Sequence, residues 1–111
     1  MTNYSPKQGD IIAMDFNPSL GREQQGKRPA LVISSEKYFK RTGLLIVCPI
    51  SSTQNQFPMH VKLEGNFSTK GSVLTQHIRT IDPAARSVNY IESVSDDFKS
   101  HIIKIIGLCF S

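Results

Sequence analysis

Seven consecutive apolar residues, Leu44 to Ile50 (LLIVCPI), constrain this chain more than any other stretch. An extended run that is apolar on both faces has no solvated side, so it belongs in the middle of a sheet that is covered above and below. The rest of the chain must supply that cover. Upstream, Asp10 to Phe16 alternates Ile12, Met14 and Phe16 with Ile11, Ala13 and Asp15, a strand period whose second face is also largely apolar. Pro29 to Ile33 reads as another strand, with its proline at the start, where a missing donor is tolerated. Downstream, Met59, Val61 and Leu63 alternate with His60, Lys62 and Glu64 up to a turn at Gly65-Asn66. Gly71 opens a strand from Ser72 to Ile81, and Asn89 to Val94 forms a last short one.

Helix signals are fewer. Ser34 or Ser35 can cap a short turn through EKYFK, which Thr42-Gly43 ends. Ser95, followed by Asp96 and Asp97, starts a longer helix in which Phe98, Ile102, Ile105 and Ile106, with Cys109 beyond, form one apolar face. Five to seven short strands and one long helix in 111 residues predict a single domain, 1–111, of mainly β (α+β) class. A flat sheet of this size would leave one apolar face in water, so a compact, strongly bent sheet or small barrel, with a C-terminal helix packed on it, is expected.

Hydrophobic residues at 39% and charged residues at 20% describe a folded chain rather than a disordered one. No apolar run approaches a membrane span and the N-terminal MTNYSPKQGD is polar, so the expected address is the cytoplasm. Cys48 and Cys109 stand among aliphatic residues and read as core or interface filler rather than a disulfide pair. Two separated Cys and three scattered His make no ligand motif, and no glycine-rich nucleotide fingerprint follows a strand, so neither metal nor cofactor is expected. The net charge of +4 points weakly to an anionic partner.

Between the first two strands lies NPSLGREQQGK, Asn17 to Lys27, a long loop for so small a domain and therefore a place to look for function. Gly21, Glu23, Gln24, Gly26, Arg28 and Pro29 fall within nine positions. With Gly9-Asp10 before them, this pattern resembles the MazF/PemK family of toxin ribonucleases, where a Gly-Asp strand opening leads through an Asn-Pro or Asp-Pro turn to G-x-E-Q-x-G-x-R-P and a strand. Pro49-Ile50-Ser51-Ser52 is similar to the family's Pro-x-Thr/Ser-Thr/Ser strand end, and Ile78-Arg79-Thr80-Ile81-Asp82 matches a third segment. The resemblance spans roughly Gly9 to Gly107. It implies an SH3-like small barrel of CcdB/MazF-like fold, a homodimer, and the toxin of a type II toxin-antitoxin system that cuts single-stranded RNA, inhibiting translation and growth. It also implies a cognate acidic antitoxin with a disordered tail, and operator DNA bound only through the antitoxin complex.

The chemistry of that activity suits these residues. RNA cleavage by its own 2'-hydroxyl needs a base, charge stabilisation on the phosphorane, and a hydrogen bond or proton for the departing 5'-oxygen. Arg28, fixed beside a strand-starting proline, can hold two phosphate oxygens at once and is the expected clamp. A guanidinium with a pKa above about 12 serves the leaving oxygen by hydrogen bonding rather than as an acid. Ser51 stands where the family carries a catalytic threonine or serine, and Ser52 is beside it. Glu23 is the carboxylate nearest Arg28 in sequence; it either accepts the 2'-hydroxyl proton or braces Arg28. Gln24, Lys27, Ser52, Gln76, His77 and Arg79 are the expected RNA contacts. Gln76-His77 replaces an acidic residue or asparagine followed by glutamine in many relatives, so a base there would have to be His77. On strand alternation only one of that pair can face a groove. Two rivals share the fold: a CcdB-like gyrase-binding toxin that is no enzyme, and an SH3-like module that binds nucleic acid without cutting.

Overall fold

The computed structural model describes residues 4–16, 27–52 and 59–111. The elements run β1 (Asp10–Met14), β2 (Arg28–Val32), α1 (Glu36–Thr42), β3 (Leu45–Ser51), β4 (His60–Lys62), β5 (Ser72–Leu74), β6 (Arg79–Ile81), a 3-10 turn (Pro83–Ala85), β7 (Asn89–Ser93) and α2 (Asp96–Leu108). The apolar run at Leu44 is the spine, as its composition requires. β3 pairs with β2 along one edge, and on the other it gives its first half to β6 and its last two residues to β5. The change of partner falls at Cys48-Pro49, and a proline, which brings no N–H, fits at such a break in a ladder.

The strand expected from Ser72 to Ile81 is thus two strands joined by a turn. Thr75, just past the end of β5, is fully buried and donates its hydroxyl to the carbonyl of Met59, and the His77 amide closes onto the Leu74 carbonyl at 3.0 Å. The chain therefore leaves the sheet just before Gln76-His77, and strand alternation does not apply to that pair.

All pairings are antiparallel, in the order β4-β5-β3-β2-β1-β7 with β6 also on β3. Both faces of the sheet are apolar. Ile11, Leu31, Cys48, Ile50 and Val73 share one cluster with Ile102 and Ile106 of α2. Ile12, Met14, Val32, Leu45 and Val47 share the other, covered by Tyr4, Phe16, Phe39 and Val88. Ser95 caps α2 by accepting from the Phe98 amide at 3.1 Å, with Asp96 and Asp97 in the first turn. Fully buried Ile102 anchors the helix, a burial that contributes roughly 2–3 kcal/mol. The buried face is narrower than the periodicity implies: Ile105 is only partly covered, and Cys109 is exposed rather than in the core, whereas Cys48 is buried. α1 begins at Ser35, which accepts from the Tyr38 amide; Ser34 instead is buried and accepts from Ile46.

The sheet is strongly curled. In a flat sheet β5 and β7 would stand four spacings apart, roughly 19 Å. Yet Glu92 of β7 accepts hydrogen bonds from Ser68 and Thr69, which precede β5 by four and three residues, about 14 and 10 Å of chain at full stretch. A sheet bent round on itself brings these together without a fully stretched loop. The ladder path ends at β4 and β7 among the described residues, so the expected barrel is a curled, open sheet in which a loop rather than a ladder spans the gap. No helix of the described residues is long and apolar enough to cross a membrane.

Candidate active site

Antiparallel register gathers four chain ends at one end of the sheet. Met14 lies opposite Arg28, Ala13 opposite Pro29, Ala30 opposite Pro49, and Ser51 opposite Ser72. The close of β1, the start of β2, the close of β3 and the start of β5 are therefore neighbours. Between them opens a groove of about 840 Å³ with Ala13, Pro29 and Ile50 among its apolar lining. Lys27, Arg28, Ser51, Ser52 and Arg79, all singled out in the sequence, line it together.

Four cations, Lys27, Arg28, Lys70 and Arg79, face this groove, and no carboxylate of the described residues lines it. Among the described residues the single ion pair is Lys99–Asp96 at 3.5 Å, on α2. The groove charges are thus not neutralised by any described acidic side chain, which makes it a site for a polyanion. Two of the cations are held. Lys27 donates to the side-chain carbonyl of Asn89 on β7, and the Arg79 guanidinium lies 5.2 Å above the Phe16 ring, a cation–π contact. Arg86 donates to the carbonyls of Asp15 and Phe16, which fixes the end of β1 and with it the ring under Arg79. Arg28 is exposed at the first position of β2.

Ser51 is set by an unusually close backbone approach. Gly71 has φ +123°, and a Cβ there would overlap the Ser51 carbonyl oxygen and come within 2.8 Å of its carbon. Only glycine lets β5 begin against the end of β3. A bulge between Ile11 and Ile12 leaves Ile91 of β7 without a register partner and aims it into the groove.

Gln76 and His77 are both exposed in the turn after β5 and do not line the groove. Glu23 and Gln24 lie outside the described residues. Sequence reasoning missed Phe16, Lys70, Thr69 and Ile91 as lining residues. Lys70 directly before Gly71 carried some signal, since a cation leading into a required glycine sits where backbone and ligand approach closely. Among the described residues no group of three or more His, Cys, Asp or Glu is placed to hold a metal ion.

Known proteins align with this architecture over nearly its whole length. The family described as PemK-like, MazF-like toxin of type II toxin-antitoxin system matches residues 7–110. The endoribonuclease toxin MazF of Escherichia coli K12 is 32% identical over 111 residues, covering 96% of this chain and 99% of that protein. The endoribonuclease toxin ChpB of the same organism is 35% identical over 99 residues, 82% of each chain. A crystal structure of MazE-MazF from Deinococcus radiodurans superimposes with a TM-score of 0.85 at 30% identity, covering 96% of both chains. The chain belongs to the PemK-like, MazF-like toxin family of type II toxin-antitoxin systems.

Proposed function

We propose that this chain is an endoribonuclease toxin that cuts single-stranded RNA in the groove at the joined strand ends. The observation that carries the reading is the company of cations and hydroxyls there: Lys27, Arg28, Lys70 and Arg79 with Ser51 and Ser52, and no described carboxylate to repel a phosphate chain. The endoribonuclease names of its relatives point the same way.

In this reading the substrate's 2'-oxygen attacks the adjacent phosphorus while the bond from phosphorus to the 5'-oxygen breaks. Arg28 binds the non-bridging oxygens, whose charge grows in the phosphorane, and hydrogen-bonds the leaving oxygen, which takes its proton from solvent water. Ser51, fixed by the Gly71 contact, orients the phosphate, and Ser52 lies next to it. Glu23 accepts the 2'-hydroxyl proton or braces Arg28. Lys27 and Arg79 hold the flanking backbone, and the Phe16 ring under Arg79 offers an apolar surface for a base. Gln24 reads RNA from the loop before Arg28; Gln76 and His77 contact it only beyond the groove.

The protein acts in the cytoplasm, as a homodimer, for which exposed Ile103, Leu108 and Phe110 of the C-terminal segment supply apolar surface. An acidic antitoxin tail occupies the cationic groove and excludes RNA, and operator DNA is reached only through that complex. Incubation of the purified protein with a long RNA in excess EDTA tests the reading. Fragments with 2',3'-cyclic phosphate and 5'-hydroxyl ends are expected, and a 2'-deoxyribose 5' to the cut should stop cleavage but not binding. Intact RNA would leave a binding module or a gyrase-directed toxin. Cutting that EDTA abolishes and magnesium restores would mean a metal-bound water instead.

A further inference from the structure

Glu92 stands in β7 opposite Ile11, on the sheet face that carries α2, and is partly buried. Its carboxylate takes three hydrogen bonds from one short loop: the Ser68 amide at 3.1 Å, the Thr69 amide at 2.8 Å and the Thr69 hydroxyl at 2.8 Å. These are charge-assisted bonds, roughly twice as strong as neutral ones. Partial burial would push this carboxyl up, but the donors from Thr69 and Ser68 outweigh it and hold the group below its usual range.

The loop has two further anchors. Phe67, just before, packs its ring 5.8 Å from that of Phe98 on α2. Gly71, just after, is fixed against the carbonyl of Ser51. Lys70 lies between Thr69 and Gly71, exposed and lining the groove. Gly65, Asn66, Ser68 and Thr69 supply almost no apolar surface to hold the segment by burial, so its placement depends on these few contacts. Glu92 itself does not line the groove. Its charge is taken up by the loop donors instead of meeting the phosphates.

We infer that Glu92 is a positioning residue for RNA, latching the loop at Ser68 and Thr69 to β7 and so holding Lys70 at the groove wall as a phosphate contact additional to Arg28. This rests on the ribonuclease reading. The latch contributes binding, because Lys70 meets backbone charge that is present before and during the cut alike.

Steady-state cleavage of one oligoribonucleotide by the wild type, Glu92→Ala, Glu92→Gln, Lys70→Ala and the Glu92→Ala/Lys70→Ala double variant tests it. Glu92→Ala should raise KM about five- to tenfold with kcat within about twofold, and should lower the salt dependence of binding by about one counterion. Glu92→Gln, which keeps one acceptor oxygen, should fall between. The double variant should be no worse than Lys70→Ala alone, since a latch has nothing to place once the lysine is gone. Amide hydrogen exchange at Ser68 and Thr69 should quicken in Glu92→Ala while circular dichroism stays unchanged. Faster exchange with wild-type KM, or effects of Glu92→Ala and Lys70→Ala that multiply, would overturn the positioning role and leave the ribonuclease reading standing. A wild-type protein that does not cut RNA would overturn that reading, and with it the role given to Lys70.

Discussion

Gly71→Ala places a methyl group where the chain has least room for one. At φ +123° an L-residue is strained by about 1–3 kcal/mol before any contact is considered. The new Cβ would also overlap the Ser51 carbonyl oxygen and approach its carbon to 2.8 Å and the Ser52 Cα to 3.1 Å. All three are backbone atoms of the neighbouring strand end, so relief requires β3 and β5 to part. That parting strains the Ser51–Ser72 pairing and loosens one or two ladder hydrogen bonds, at about 1 kcal/mol each. The total is about 2–5 kcal/mol. At roughly 4–6 °C per kcal/mol for a domain of this size, the Tm should fall by about 10–30 °C. Gly43→Ala is the matched control, because Gly43 also has positive φ, +75°, but a Cβ there meets nothing within 4 Å. It should cost about 1–2 kcal/mol. Thermal unfolding followed by circular dichroism measures both, and RNA cleavage well below either Tm shows whether Ser51 has moved. Gly71→Ala should lose at least about tenfold in rate, as a misplaced group does in a preorganised site, while Gly43→Ala keeps its activity. A Gly71→Ala protein that melts no lower than Gly43→Ala, or cleaves at the wild-type rate, would refute the close approach and the claim that it positions Ser51.

Arg28→Ala should remain folded, since the side chain is exposed, and lose about a hundredfold or more in kcat, read by single-turnover cleavage beside circular dichroism. Cys48 should resist a disulfide reagent in the native protein and react once the protein is denatured, because burial holds its thiol up at about 12; a native Cys48 that reacts at the denatured rate would contradict its place in the core. The Glu92 carboxyl is held below its ordinary value near 4.5, so the latch is fully present above that value and is lost as pH falls through the lowered one. Thr69 amide protection should therefore be flat across neutral pH and disappear only in acid; a loss between pH 6 and 8 would assign the latch to another group.

The elements were legible in the sequence wherever a local signal existed. The doubly apolar Leu44–Ile50 run gave the spine of the sheet, Ser35 and Ser95 with their helix caps gave both helix starts, and Gly43 ended α1 as a left-handed glycine does. The break between β5 and β6 was not legible, because Ser72 to Ile81 lacks a proline or glycine to mark it. Its cause is distant: Thr75 turns in to the Met59 carbonyl, and β3 changes partner at Pro49. Of the core and interface readings of Cys109, its exposure removes the first. α2 ends at Leu108 with Cys109 as its cap, so the buried side marked by Ile102 and Ile106 does not run on to it. Within the site, Arg28, Ser51 and Arg79 were found through motifs, and the register then brought them to one groove. Glu92 had no signal. It lies 23 residues from Thr69, and only the curl of the sheet makes the two neighbours.

That curl ties the closure of the sheet and the lining of the groove to the same few atoms. A seven-stranded sheet whose six-stranded path is open at both ends among the described residues must be held across its gap by something other than a ladder, and Glu92, with the Phe67–Phe98 contact, does so through the segment that also carries Lys70 into the groove. Gly71 then seats this segment against Ser51. Substitutions in the doubly apolar core, such as Ile102→Ala at about 2–5 kcal/mol, should lower stability while leaving the remaining folded molecules fully competent. Substitutions in the bridging segment should instead alter RNA handling at small cost in stability, except at Gly71, where the fold and the site use the same contact.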